Sequence, residues 1–104
     1  MAKTPESKLG LAVMQVLASR SEYKAHVRTL IKGVPDHITL TEQDCKMSET
    51  RPNEQMWEQR VRNLKSHDKT TGNVIAEGLV KYLGKGMYQL TDSGVSHLKA
   101  KNLL

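Results

Sequence analysis

The stretch "EGLVKYLGKGMYQLTDSG", residues 77–94, narrows the fold more than any other part of the chain. Two short runs rich in strand-forming side chains flank Gly84-Lys85-Gly86, a three-residue connection whose last glycine can supply a left-handed backbone. That loop sets a register. Leu83 then opposes Met87, Tyr82 opposes Tyr88, Lys81 opposes Gln89 and Val80 opposes Leu90. One face of the hairpin carries Val80, Tyr82, Tyr88 and Leu90, and the other shows Lys81 and Gln89. A lone hairpin is marginal in water, so the apolar face must pack on helices while the tip bearing Lys85 projects. Thr91 stands where a cap would start a last helix, with Val95 and Leu98 facing inward.

The rest of the chain reads as helical. Thr4 as a cap, Pro5 in the first turn and Glu6 near the positive end of the dipole start a helix. Leu9, Val13, Val16 and Leu17 carry it to about Arg20. This segment follows basic residues, as a signal peptide would, but Glu6 and Gln15 break that pattern and an amphipathic helix fits better. Ser21 to Lys24 interrupts the periodicity and suits a short extended piece. Tyr23, Val27, Leu30, Ile31 and Val34 then recur at helical spacing, closed by Gly33 and Pro35. Thr41 can cap a brief third element, and "SETRPNE" is a loop. Asn53 is the expected cap of a helix over 54–67, whose apolar members Trp57, Val61 and Leu64 form one stripe.

Composition bounds the function. The chain has 104 residues, the size of one domain spanning 1–104, with no Phe and one Trp, so Leu17, Leu30, Ile31 and Leu98 must join the α-helical stripe and the hairpin face in a small core. A single cysteine, Cys45, excludes an internal disulfide and fits a reducing, cytoplasmic setting. No stretch is long enough to cross a bilayer, so no membrane partner is expected. The formal charge is +5 and unevenly spread. Residues 36–54 are acidic, and the bases dominate from 55 onward, which suits a polyanionic partner.

Helices first, then a helix with a polar outer face, then a hairpin with a lysine at its tip, is the order of a small α+β winged helix-turn-helix domain, with three to five helices and the hairpin as wing. Opposite the Trp57 stripe, the helix presents Gln55, Gln59, Arg62, Asn63 and Ser66, flanked by Arg60 and Lys65. Those are the side-chain types that meet base edges and phosphates in a major groove. Lys81 and Lys85 would lie along the backbone or minor groove beside it. Double-stranded DNA is therefore the expected partner, and Arg62 the residue expected to set base preference.

Two pieces, "WEQRVRNL" at 57–64 and "GLVKYLGKGMYQLTDSG" at 78–94, resemble the winged-helix module at the amino end of Mrr-type restriction proteins. The matching positions are Trp57, Arg60-Val61, Gly78-Leu79, Gly86, Tyr88, Leu90, Thr91, Asp92 and Gly94. In that family the helix runs almost directly into the Gly-Leu step, whereas "KSHDKTTGNVIAE" lengthens the connection here. The resemblance implies a sequence- or modification-sensing DNA module, either a transcriptional regulator or the recognition part of a restriction or defence system.

Two other classes compete. Winged helices also serve as assembly modules, and the acidic segment could dock a basic protein, with the chain acting as a homodimer or within a larger complex. Pro35-Asp36 and Asp44-Cys45-Lys46 spell a magnesium-nuclease string, but such chemistry needs the carboxylates and lysine converging from adjacent strands. A polar loop and short helix explain those letters better, so no enzyme activity is expected. His26, His37, His67, His97 and Cys45 show no zinc-like spacing, and no cofactor or metal is expected.

Overall fold

The computed structural model describes residues 4–49 and 53–104. These residues form four α-helices and a three-stranded antiparallel sheet. The order is α1 (Glu6–Ala18), β1 (Lys24–His26), α2 (Val27–Gly33), α3 (Met56–Arg62), β2 (Val80–Gly84), β3 (Met87–Leu90) and α4 (Asp92–Ala100). Short 3-10 turns lie at Ser21–Tyr23, Val34–Asp36 and Lys65–His67. The middle of the loop expected at "SETRPNE", residues 50–52, lies outside the described residues.

Helix α1 is the centre of the molecule. Leu9, Ala12, Val13, Met14, Val16 and Leu17 are all buried, which covers most of its circumference and marks a core helix rather than a surface one. Pro5 occupies its cap position and no side chain caps it. Thr4, the expected cap, is committed elsewhere: its hydroxyl and backbone N–H both donate to the Asp44 carboxylate. A buried carboxylate needs donors more than a helix end near solvent does.

The second helix starts at Val27 rather than Tyr23, because Lys24–His26 is taken up as a strand against β3. His26 caps it by accepting the Arg28 N–H at Nδ1, 3.1 Å. Gly33 lets it close onto α1, since a Cβ there would come within 2.8 Å of Val16 Cγ2.

Helix α3 is shorter than the 54–67 span expected. Gln55, not Asn53, caps it in a capping box with Glu58, whose Oε1 accepts the Gln55 N–H at 2.9 Å. The α-helix ends at Arg62, and a turn leads into Lys65–His67. The apolar stripe nevertheless points inward, with Trp57, Val61 and Leu64 at 6%, 0% and 2% exposure. The long connection that follows is pinned by two residues. Asn73 is buried, donates to the Leu64 carbonyl at 3.1 Å and accepts from the Ile75 and Ala76 N–H groups. Val74 packs on Gly10 so closely that a Cβ there would lie 2.6 Å from Val74 Cγ1.

Strand order is β1-β3-β2. The pairs Val80–Leu90, Lys81–Gln89 and Tyr82–Tyr88 match the register expected, and Val80, Tyr88 and Leu90 are buried. The turn differs. Gly84 pairs with Met87 and Leu83 bulges out, so the loop is the two residues Lys85-Gly86 with φ of 53° and 79°. Positive φ at both positions matches the right-handed twist of the strands, which a three-residue loop would have met by another route. Thr91 caps α4 by accepting the Gly94 N–H at 3.0 Å, and Gly94 lies against the Leu79 carbonyl with no room for a Cβ. The buried apolar residues form one cluster, with Ile31 and Tyr82 at its margin.

Candidate nucleic-acid interface

The side chains expected to meet DNA fall into two groups. On and after α3, each cation already has a carboxylate. Arg60 donates through Nη2 to Glu6 Oε2 at 2.9 Å and through Nη1 to the Thr4 carbonyl at 2.8 Å, with Asp44 Oδ1 at 3.7 Å, and its side chain is only 17% exposed. Arg62 donates from Nε to Glu54 Oε2 at 2.6 Å. Lys65 donates to Asp68 Oδ2 at 2.6 Å, and that hydrogen bond holds the Asp68 carboxyl below its usual range. The amides are engaged too. Gln55 Oε1 accepts from the Trp57 indole at 2.8 Å, and Gln59 Oε1 accepts from the Ser48 hydroxyl at 2.6 Å. Asn63 is half-buried without a side-chain partner among the described residues, and Ser66 is exposed.

On the hairpin the cations are free. Lys81 and Lys85 are exposed and carry no ion pair among the described residues. Lys24 and Lys81 flank Gln89 in one row across the outer sheet face, since both pair with it in register. Among the described residues Lys24 has one ionic partner, the exposed Glu22 at 3.7 Å.

Two cations that the sequence reading passed over join this group. Arg28 and Lys32 lie one helical turn apart on α2, both exposed and without an ionic partner among the described residues. The helix is fastened to the hairpin tip, where the Val27 N–H donates to the Gly86 carbonyl at 2.8 Å and His26 covers Gly86. Their i,i+4 spacing on the outward side of the second helix was a signal available in the sequence.

Asp44, part of the nuclease-like string, has a structural occupation. Its side chain is fully enclosed. Burial pushes its carboxyl up, but hydrogen bonds from the Thr4 hydroxyl, the Thr41 N–H and the Thr4 N–H outweigh that and leave it below its ordinary value. Its own N–H donates to Thr41 Oγ1, so Thr41 caps this segment as expected, but the segment is a turn where a short helix was expected. Among the described residues no three His, Cys, Asp or Glu side chains gather as metal ligands. No helix among them is long and apolar enough to cross a membrane.

Compared with known proteins, the chain matches no family model, no curated protein and no solved structure.

Proposed function

We propose that this chain is a winged helix-turn-helix module that binds double-stranded DNA, gripping the phosphate backbone chiefly with the hairpin and the start of α2. The observation that carries this reading is the unpaired set Lys81, Lys85, Arg28 and Lys32, assembled on two elements joined by the Val27–Gly86 hydrogen bond. The element order supports it: helix, strand, two helices and a hairpin, with the first strand added to the hairpin's second. Helix α3 spans only about 10 Å at 1.5 Å per residue, enough to enter a groove at one point rather than to follow it. Base contact falls to Asn63 and Ser66 together with Arg62, which would exchange Glu54 for a guanine edge. The resemblance of two sequence pieces to Mrr-type modules supports a restriction, defence or regulatory setting for it.

The test is gel retardation of duplex DNA at several salt concentrations. Four phosphate contacts predict a log–log slope of about −3 to −4. Binding that is absent at low salt, or indifferent to salt, overturns the proposal.

A second reading rests on a different observation. Met47 and Met56 are 54% and 36% exposed around the start of α3, beside an edge bridge from Met47 to Gln55. Adaptable apolar side chains of this kind suit a protein partner. Persistence of a partner complex in high salt, with no duplex binding, would favour it.

A further inference from the structure

The outward side of α3 is one wall of a cleft of about 430 Å³. The first turn of α1, the Thr41-capped turn and the long connection after α3 supply the others. This volume lies within the range of small-molecule sites. The charges in the cleft answer one another, because Arg60 is held between Glu6 and Asp44. Two carboxylates around one guanidinium leave nothing to attract a phosphate or a carboxylate.

The neutral groups are different. Gln43, Asn63, His67, Thr70 and Thr71 line the cleft and have no side-chain partner among the described residues. They offer amide, imidazole and hydroxyl groups, each able both to donate and to accept. Met56, 36% exposed, contributes apolar surface to the same cleft. The long connection that closes it is anchored from behind by Asn73, whose three hydrogen bonds are all to backbone.

We infer that this cleft binds an uncharged, planar heterocycle of nucleobase size, its edge read by Asn63, His67 and the neighbouring threonines and its face lying on Met56. The inference does not require duplex binding. A free nucleoside and a base turned out of a duplex share this chemistry, and the experiment separates them.

The isotope-labelled full chain is titrated with adenosine, guanosine, cytidine and thymidine at millimolar concentration while its amide NMR spectrum is followed. A duplex with one unpaired base and its fully paired control are titrated in parallel. Shifts clustered over residues 63–71 with a nucleoside identify a small-molecule occupant, and the same cluster with only the unpaired-base duplex identifies an extruded base. Asn63→Ala and His67→Ala should each weaken binding by about tenfold, the loss of one hydrogen bond to a desolvated partner. The exposed His67 and Thr71 sites provide variants that leave folding intact if Asn63→Ala does not. No clustered shift with any probe overturns the inference, as do shifts that survive both substitutions. Adenosine 5′-monophosphate binding more tightly than adenosine overturns the charge argument on which the ligand class rests.

Discussion

Asp44 and Arg60 lie 3.7 Å apart, and this one relationship joins the N-terminal strand of chain, the Thr41 turn and α3. Arg60 reaches past Asp44 to Glu6 and the Thr4 carbonyl, so the guanidinium is part of the frame rather than part of a free surface. Removing Asp44 takes the acceptor from the Thr4 and Thr41 donors, and removing Arg60 takes the cation from between Glu6 and Asp44.

Asp44→Ala is therefore expected to cost about 3–5 kcal/mol in urea unfolding at neutral pH, because three donors from Thr4 and Thr41 lose one charged, buried acceptor. The pH dependence follows from a folded-state carboxyl lying below its ordinary value of 3.8. The unfolded chain takes up the proton first as pH falls, so Asp44's contribution is complete above that ordinary value and disappears as pH drops through the lower folded value. Unfolding curves of wild type and Asp44→Asn should converge under acid. A difference that stays constant down to the acid limb would show that the carboxylate's charge is not what matters.

Arg60→Ala should behave as a stability variant. Its thermal midpoint falls, while the salt slope of duplex binding stays near that of the wild type. A full-strength fold with a reduced slope would instead place Arg60 on phosphate.

Lys85→Ala and Arg28→Ala are expected to weaken binding to all duplexes alike and to lower the salt slope by about 1 each. Arg62→Ala should change base preference more than overall affinity, read by competition among duplexes of different sequence. Equal competition by all sequences before and after the substitution would remove Arg62 from the reading role.

Tyr88→Ala empties the junction between sheet and helices, where the ring is buried and its centroid lies 5.0 Å from that of Tyr82. The expected loss is about 3–5 kcal/mol. Burial also pushes the Tyr88 phenol up, so its ionisation on an alkaline titration should trail that of an exposed tyrosine. An unchanged melt would contradict the packing described.

Gly94→Ala sets a methyl group against the Leu79 carbonyl and the Leu90 side chain, inside a helix whose first turn is also held by Thr91. Overpacking of this kind costs about 1–3 kcal/mol. Thermal unfolding of that variant checks it.

What could be read from the residues and what could not divide along physical lines. The register of Val80–Leu90, Lys81–Gln89 and Tyr82–Tyr88 was reached from a three-residue loop and survives the two-residue one because the bulge at Leu83 takes up the difference. The inward stripe of Trp57, Val61 and Leu64 followed from helical period, a local pattern tied to burial. Thr91 was legible as a cap for the same local reason. The bulge at Leu83 was not, since Gly84-Lys85-Gly86 serves a two- or a three-residue loop equally well until strand twist chooses. Strand β1 has three residues and too little alternation to announce itself, and its partner lies far along the chain. The candidate interface suffered most. Whether Arg60 faces water depends on Glu6 and Asp44, residues distant in sequence that folding alone brings to it.

The bond from the Val27 N–H to the Gly86 carbonyl has a mechanical consequence. It turns the ribbon tip and the second helix into a caliper with fixed jaws, so the gap between the Lys85 and Arg28 positions is not free to adapt to whatever polyanion arrives. On the DNA-binding proposal, a surface of this build would discriminate by spacing before it discriminates by sequence, and a backbone with the wrong rise between charges would engage one jaw and miss the other.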